Sequence, residues 1–291
     1  MVEFPMKVSA IILTYNRAHM VTEAIDSVLK QSFKDFELIV VDNYSSDNTE
    51  SVVKSYNDKR IRYFKHQNNG FIGVNRNYGI KKSRGEYIAF LDDDDLWLPK
   101  KLEKQVELLD SNKELGLVYS DTYIMDSNGN LRENTYFRRI KPARGNAFNE
   151  LLQDNFIPML TVVIRREMLS KVGIFNPRYK IALDYDLWLR IAEHYPIDFI
   201  EQPLAKYRVH SESGFQKNIA LSYQEILQII EHWLNRNPEL KRELGPLFRL
   251  RKGLAYCRLA SYYAYKYRDR KAIKELVNLV KYSLLPRHNT H

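Results

Sequence analysis

Cysteine is almost absent from this 291-residue sequence, in which Cys257 stands alone. A single cysteine excludes an internal disulfide bond and a cysteine-based metal site, so we expect Cys257 to be a small apolar residue within a helix. No apolar run approaches the roughly 18 residues that a membrane-spanning helix needs. The first six residues, MVEFPM, lack the layout of a signal peptide. From these absences we expect a cytoplasmic protein.

Two glycine-rich phosphate motifs are also missing. No Gly-x-Gly-x-x-Gly follows the first predicted strand, and no Gly-x-x-x-x-Gly-Lys-Ser/Thr occurs anywhere. Neither a dinucleotide cofactor nor P-loop nucleotide binding is therefore indicated. The hydrophobic content of 44% is sufficient for one large domain, or for one domain with an appendage.

Four consecutive carboxylates, Asp92 to Asp95, end an apolar run that begins after Gly85. The run predicts a buried strand, and Pro99 with the following Lys/Glu-rich segment predicts a helix, so the carboxylates lie at the carboxyl end of a strand. Adjacent like charges repel, and a divalent cation is the simplest partner for them. The alternative is a solvated acidic turn, but open α/β sheets bind ligands at this edge.

Strands and helices alternate through the first 95 residues. We predict four strands, which begin at Lys7, Phe36, Ile61 and Glu86, and three helices within 19–31, 48–56 and 70–83. Right-handed crossovers between such elements give a Rossmann-like α/β fold, with a mostly parallel sheet and helices on both faces.

Three polar turns would then share one edge of the sheet: 14–17, 42–46 and 92–95. Such a cluster suits a nucleotide, because Tyr15 would stack on a base and Asp42 would accept a hydrogen bond from a base N–H. The alternatives are a rim aromatic for Tyr15 and a turn-capping role for Asp42.

Four segments in this order resemble the family 2 glycosyltransferases, which have the GT-A fold. They are Val8-Ser-Ala-Ile-Ile-Leu-Thr-Tyr-Asn-Arg17, Phe36-Glu-Leu-Ile-Val-Val-Asp42, Gly73-Val-Asn-Arg76-Asn77-Tyr-Gly79 and Gly85-Glu-Tyr-Ile-Ala-Phe-Leu-Asp-Asp-Asp-Asp95. Each segment alone is a weak signal, but four with matching spacing are a strong one. The resemblance covers about residues 6–210.

The resemblance implies roles at the donor site. It implies donor binding by Thr14, Tyr15, Asn16, Arg17, Asp42, Arg76, Asp92 and Asp93. It also implies Mn²⁺ or Mg²⁺ on Asp94, with Asp92 in the metal shell. Arg76 would approach the diphosphate, a role that suits a fixed charge with five donors. The alternative for Arg76 is a surface ion pair.

The segment after Asp95 predicts a helix over 100–110, strands over 115–125 and 159–165, and a hairpin turn at Asp126. Residues 132–150 are polar and basic, and we interpret them as a mobile loop near the acceptor or as a plain solvated loop.

An amphipathic helix follows Ile181 and carries Asp184 and Asp186 near its start, where the helix dipole favours negative charge. The segment resembles the family's Glu-Asp motif, which implies that Asp184 is the general base. Leu183 stands where the family has an acid, and Asp186 is the competing candidate. Tyr207-Arg208-Val-His210 resembles the element that closes the catalytic domain, and it implies His210 at the metal or the diphosphate. A structural histidine is the alternative.

We therefore predict a catalytic domain over 1–212, with a nucleotide-binding half (6–98) and an acceptor half (99–212), and a basic helical region over 213–291. From residue 220 onward there are 14 basic and 6 acidic residues, and apolar spacing predicts helices over 219–233, 247–257 and 273–284. This region would attract an anionic membrane surface, such as the inner face of the cell membrane, or serve as a solvated face. Its apolar stripes also make a homodimer plausible.

The predicted function is metal-dependent, inverting transfer of a sugar from a nucleotide sugar, most simply a UDP-sugar, to a hydroxyl of a saccharide, lipid-linked or other acceptor. One alternative is a sugar-nucleotide pyrophosphorylase, and another is a non-catalytic basic module for membranes or polyanions. We expect no nucleic-acid partner, because the acidic rim would repel phosphate in the absence of metal.

Overall fold

The computed structural model describes residues 4–210 and 218–267, and the chain forms two compact units, Met1–Ser211 and Glu212–His291. The strands of the first unit are β1 Met6–Thr14, β2 Phe36–Asp42, β3 Ile61–Lys65, β4 Gly85–Asp92, β5 Leu96–Trp97, β6 Leu117–Met125, β7 Leu131–Thr135, β8 Val163–Arg165 and β9 Ile197–Arg208. Its helices are α1 Ala18–Leu29, α2 Thr49–Ser55, α3 Ile72–Lys82, α4 Lys101–Ser111, α5 Phe148–Gln153, α6 Arg166–Val172 and α7 Leu183–Ala192.

The strands form one nine-stranded sheet in the order β3-β2-β1-β4-β8-β6-β9-β5, with β7 beside β6. The first four strands are parallel, as their alternation with helices predicts. In this register Thr14 lies opposite Asp42, and Leu13 lies opposite Asp92. The three polar turns therefore share one edge of the sheet, which confirms the prediction.

The other half of the sheet is mixed. Strand β8 runs antiparallel to both β4 and β6, whereas β9 runs parallel to β6. The short strand β5 pairs antiparallel with β9, through Leu96 with Lys206 and Trp97 with Ala205. This pairing ties the end of the acidic run to β9, so residues more than 100 positions apart in sequence meet at one edge.

Local hydrogen bonds shorten one predicted strand. Residues Met159–Thr161 form a single turn of 3₁₀ helix, and β8 begins only at Val163. The carbonyl of Pro158 accepts hydrogen bonds from both the N–H and the hydroxyl of Thr161, at 3.0 and 2.7 Å. Such local bonds compete with strand pairing.

The hairpin predicted at Asp126 is confirmed, and its turn joins β6 to β7 with Gly129 at φ 86°. The segment 132–150 is more ordered than a loop. It contains part of β7, a 3₁₀ turn at Tyr136–Arg138 and the start of α5. Only residues 139–147 connect these elements.

The core of the first unit lies between the sheet and its helices. Residues Val21, Ala24, Ile25 and Val28 of α1 are completely buried, in agreement with their helical spacing. Gly85 is the first residue of β4, and it lies where no side chain would fit. A Cβ atom at this position would lie 2.5 Å from the backbone nitrogen of Ser9.

The second unit contains two packed helices in its described part, α8 Ile219–Arg236 and α9 Pro238–Tyr267. The helix predicted over 247–257 is part of α9, which continues through Pro246. Within the described residues of this single chain Cys257 is exposed and Leu250 is 53% exposed. The helix predicted over 273–284 lies outside the described residues. Among the helices described, none combines the length and apolarity that crossing a bilayer requires.

Candidate active site

The turns after β1 and β2 are hydrogen-bonded into one rim. The N–H of Asn43 donates to the carbonyl of Thr14 at 3.0 Å, and the N–H of Asn16 donates to the hydroxyl of Ser45 at 2.8 Å. Asn16 and Tyr44 have φ values of 52° and 58°, in the left-handed region. These bonds fix the backbone of the turns that contain Tyr15 and Asp42, the residues predicted to bind the nucleobase.

Tyr15 and Asp42 differ sharply in exposure at this rim. Tyr15 is 55% exposed, whereas Asp42 is completely buried. One carboxylate oxygen of Asp42 accepts hydrogen bonds from the N–H and hydroxyl of Ser45, at 2.8 and 2.6 Å, and the other accepts from Tyr63. Asp42 thus does cap its turn, and the same bonds hold its carboxylate in one orientation.

The acidic run is not a solvated turn, since Asp93 and Asp95 are 5% and 2% exposed. A nitrogen of Arg17 lies 2.8 Å from both Asp93 Oδ1 and Asp94 Oδ2. Asp95 accepts the backbone N–H of Arg208 at 2.7 Å. The protein therefore supplies positive or donor groups to these carboxylates, as their mutual repulsion requires.

Burial has a large effect on two of these carboxylates. It raises the pKa of Asp93 to about 7, against the opposing charge of Arg17. It also raises the pKa of Asp95 well above its usual value, and the neighbouring charges of Asp94 and Asp92 act in the same direction. An added cation would stabilise the ionised forms of both.

His210 reaches the same run from the end of β9. Its Nε2 lies 2.9 Å from Asp94 Oδ2. Arg208, two residues earlier, anchors this contact by donating to the carbonyl of Asp94 at 2.7 Å and to Glu23 at 2.7 Å. The structure thus brings together two of the three predicted metal ligands, Asp94 and His210. The third, Asp92, is paired instead with Arg76 at 2.8 Å.

These side chains fit a divalent ion that binds together with phosphate. Within residues 4–210 and 218–267 there is no group of three or more His, Cys, Asp or Glu side chains arranged to hold a metal. Mg²⁺ and Mn²⁺ commonly take only one or two carboxylates and complete their shells with phosphate oxygens and water. The carboxylate of Asp94 is a ligand of this kind, and the imidazole of His210 beside it offers a nitrogen donor.

Arg76 lies on α3 and is only 5% exposed, which excludes a surface role. Its guanidinium pairs with Asp92 and lies 5.7 Å from the ring centre of Phe175. Its positive charge also opposes the rise that burial causes in the pKa of Asp184. Arg76 is therefore paired with the acidic run and also acts electrostatically on the predicted general base.

Asp184 occupies the first turn of α7, and burial raises its pKa to about 6 despite the opposing charge of Arg76. Its carboxylate accepts the N–H of Tyr185 at 2.7 Å. Asp186 is committed elsewhere, because it forms two hydrogen bonds with Arg190, at 3.0 and 2.8 Å. Leu183, where the family has an acid, is buried against Gly73.

Sequence reasoning missed two further residues near the site. Burial raises the pKa of Tyr136 to about 12, and the charges of Asp154 and Asp184 add to the effect, so the phenol is electrostatically coupled to the predicted general base. No sequence signal marks Tyr136. The side chain of Asn77 both donates to and accepts from the backbone of Phe175, at 2.8 and 3.0 Å. Asn77 stands next to Arg76 in a motif, a signal that could have revealed it.

Comparison with known proteins identifies the family. The family described as glycosyl transferase family 2 matches residues 9–173, which is more than half of the chain. An uncharacterized glycosyltransferase of Rickettsia felis is 40% identical over 221 residues, which are 72% of this chain and 35% of that protein. The chain belongs to glycosyl transferase family 2, and it spans about a third of this relative's length.

Two further proteins are informative. The Escherichia coli protein named UDP-Glc:alpha-D-GlcNAc-diphosphoundecaprenol beta-1,3-glucosyltransferase WfgD is 33% identical over 72% of this chain and 80% of its own length. The mannosyltransferase PcManGT of Pyrobaculum calidifontis, solved with GDP-Man and Mn²⁺, has a TM-score of 0.66 at 19% identity, over 96% of this chain and 81% of its own. The predicted GT-A fold is thereby confirmed.

Proposed function

We propose that this chain is a metal-dependent, inverting glycosyltransferase that moves a sugar from a nucleotide-sugar donor to an acceptor hydroxyl in polysaccharide or glycoconjugate synthesis. The observation that supports it most is the position of Arg76, which pairs with Asp92 in the acidic run and acts electrostatically on Asp184. One buried guanidinium thus adjoins both the diphosphate side and the base side of the site.

Each side chain has a distinct task in this mechanism. Tyr15 covers the nucleobase and Asp42 accepts its N–H. Arg76 offsets negative charge on the departing nucleoside diphosphate. Asp94 and His210 would hold a Mg²⁺ or Mn²⁺ ion, which would supply further stabilisation of that charge. Asp184 takes the proton from the acceptor hydroxyl, and a single displacement inverts the configuration at the anomeric carbon.

A UDP-sugar is the simplest donor, because the resemblance of the motifs and the UDP-Glc in the name of the Escherichia coli relative agree on it. The GDP-Man of the Pyrobaculum calidifontis enzyme makes GDP the nucleotide to test against it. The charge of Asp184 contributes to the raised pKa of Tyr136, which supports an acceptor position near the segment around Tyr136. Arg138 and Arg139 are exposed there and suit a saccharide acceptor that carries phosphate, as in a lipid-linked diphosphate.

Attachment of the basic region 213–291 to an anionic membrane surface, and formation of a homodimer, are separate parts of the proposal. The first rests on the charge surplus from residue 220 onward. It predicts co-sedimentation of the full chain with anionic vesicles at low salt, and no co-sedimentation would remove it. Light scattering of the full chain tests the dimer.

Calorimetric titration of UDP, with and without Mn²⁺, tests the donor site. We expect binding that needs Mn²⁺, that is lost in Asp94→Ala and that is retained in Asp184→Asn. Asp58→Ala is a matched control, because Asp58 is paired with Arg60 at 2.6 Å outside the site. Metal-independent binding in Asp94→Ala would contradict the metal site. The same titrations with GDP identify the nucleotide.

Turnover tests the base. Once the donor is known, Asp184→Asn should lower the transfer rate by about 10²–10⁴-fold, the usual contribution of a positioned base. Full transfer activity in Asp184→Asn would show that the proton goes elsewhere. Before the acceptor is identified, the readout is hydrolysis of the donor in the absence of acceptor, measured by the release of the nucleoside diphosphate.

A further inference from the structure

Arg17 takes part in a contact that a donor-binding role alone does not explain. A single nitrogen, Nη1, lies 2.8 Å from Asp93 Oδ1 and 2.8 Å from Asp94 Oδ2. The same oxygen of Asp94 lies 2.9 Å from His210 Nε2. Arg17 therefore places its positive charge between two carboxylates, on the oxygen that His210 also contacts.

This position is the one that a divalent ion would take. An ion on Asp94 and His210 has to approach Asp94 Oδ2, and Arg17 already contacts that oxygen. Two cations at hydrogen-bond distance from one oxygen repel each other, and the low exposure of Asp93 and Asp94 leaves little water to screen them. The guanidinium must leave Asp94 when metal binds.

A guanidinium that leaves a buried carboxylate needs another anion. Arg17 stands at the amino end of α1, directly after the turn that contains Tyr15. A diphosphate that shares the metal brings negative oxygens to this edge, and arginine binds phosphate in a bidentate manner.

We propose that Arg17 is a built-in counter-cation of the metal site, which neutralises Asp93 and Asp94 in the metal-free chain and moves to the donor diphosphate when metal and nucleotide arrive together. Metal binding is then coupled to nucleotide binding, and Mn²⁺ alone binds weakly. The inference rests on the proposed function, because it takes Asp94 as a metal ligand.

Titration of Mn²⁺ into the full chain, followed by water-proton relaxation, tests the coupling without any activity assay. In the absence of nucleotide, Arg17→Gln should bind Mn²⁺ at least tenfold more tightly than the wild type. In the presence of Mn²⁺, the same variant should bind UDP about tenfold more weakly, because the diphosphate loses a charged partner. Tighter Mn²⁺ binding together with weaker UDP binding in this one variant is the result expected of a counter-cation.

Two further variants make the test specific. Arg60→Gln removes an arginine of similar exposure, 27% against 30%, that is paired with Asp58 outside the site, and it should leave Mn²⁺ affinity unchanged. Arg17→Lys keeps the charge and should bind Mn²⁺ about as weakly as the wild type. An equal gain in Mn²⁺ affinity in Arg17→Lys and Arg17→Gln would overturn the proposal, since it would show that the shape of the side chain matters rather than its charge.

Asp94→Ala separates this inference from the proposed function. If Asp94→Ala abolishes Mn²⁺-dependent UDP binding while Arg17→Gln leaves Mn²⁺ affinity unchanged, the metal site stands and the counter-cation role of Arg17 is wrong. If Asp94→Ala retains that binding, both are wrong. Thermal unfolding of each variant shows whether it is folded.

Discussion

His210 Nε2 lies 2.9 Å from Asp94 Oδ2, although 116 positions separate the two residues in sequence. The contact depends on β9, which pairs with β5 immediately after the acidic run and ends two residues before His210. Strand β9 therefore brings His210 to the carboxylates that follow strand β4. Four predictions test how the surrounding structure supports this site.

The partly buried carboxylate of Asp184 is expected to cause a fall in turnover at acid pH. Burial raises its pKa from an ordinary 3.8 to about 6, so the carboxylate is protonated and inactive as a base below that pH. We expect kcat to fall about tenfold per pH unit below pH 6. The measurement is the pH profile of transfer or donor hydrolysis at saturating donor. A flat profile from about pH 5 to about pH 7, roughly one unit either side of the pKa, would contradict the assignment of Asp184 as the base.

Arg208 contacts Asp94 and so supports the candidate metal site, although it is not itself a predicted metal ligand. Its side chain donates to the carbonyl of Asp94, to Glu23 and to the carbonyl of Ser127. Arg208→Gln should lower the free energy of unfolding by about 2 kcal/mol, since buried carbonyls lose their partners. It should also weaken Mn²⁺-dependent UDP binding. Urea unfolding and calorimetry measure the two effects.

Arg144→Gln is the matched control for Arg208, because Arg144 is 54% exposed. Its ion pairs with Asp198 and Glu201 are long, at 3.4 and 3.8 Å, and its guanidinium lies 4.2 Å from the ring centre of Phe199. Exposed pairs of this kind contribute about 0–1 kcal/mol. Equal losses of stability in the two variants would show that Arg208 has no special structural role.

Tyr44 adopts a left-handed backbone with φ 58° while its side chain is 58% exposed. An L-residue in this conformation costs about 1–2 kcal/mol, which glycine avoids. Tyr44→Gly should therefore be more stable than Tyr44→Ala by about 1 kcal/mol, and both variants lose the same ring. Urea unfolding of the pair measures the difference. Equal stability would mean that the turn relaxes without cost.

Lys101 is completely buried in α4, where its Nζ donates to Gln105 at 2.7 Å and lies 4.3 Å from the ring centre of Trp97. Burial lowers its pKa well below the ordinary 10.5. Between that lowered pKa and 10.5 the unfolded chain binds more protons at this residue than the folded chain does. In that range Lys101 therefore makes the free energy of unfolding rise as pH rises and fall as pH falls.

Lys101→Met removes that proton difference. Relative to this variant, the wild type should gain up to about 1.4 kcal/mol of unfolding free energy per pH unit on the alkaline side of neutrality. Urea unfolding of both proteins across that range measures the gain, and other titrating groups cancel in the comparison. If the difference in unfolding free energy between the two proteins stayed constant with pH, Lys101 would keep its charge in the folded chain.

Part of the fold follows from local pattern. The four parallel strands, the edge shared by their turns and the hairpin at Asp126 were all predicted, because period, turn chemistry and crossover handedness are local properties. The strand predicted from Met159 was too long, since the hydrogen bonds of Thr161 to Pro158 cannot be weighed from apolar spacing. The helical spacing around Cys257 identifies one face of a helix but not what covers that face, and Cys257 is exposed in the single chain.

The candidate site shows the same division. Arg76 and the acidic run were identified from motifs, but the pairing of Arg76 with Asp92 joins α3 to the end of β4, and such a contact depends on the folded chain. The pair of Asp186 with Arg190 is local to α7, at i and i+4, but spacing alone does not show that it forms. Tyr136 carries no motif, and only its burial and the nearby charge of Asp184 reveal it.

The sequence by itself determined the family, the parallel half of the sheet and the carboxylates at its edge, because strand period and motif spacing act over short stretches of chain. Tertiary structure alone decided the protonation behaviour and the partners of those carboxylates. Burial and Coulombic interaction depend on distance in space, so the pKa of Asp184 near 6 and the charge of Arg17 between Asp93 and Asp94 arise only when the chain has folded.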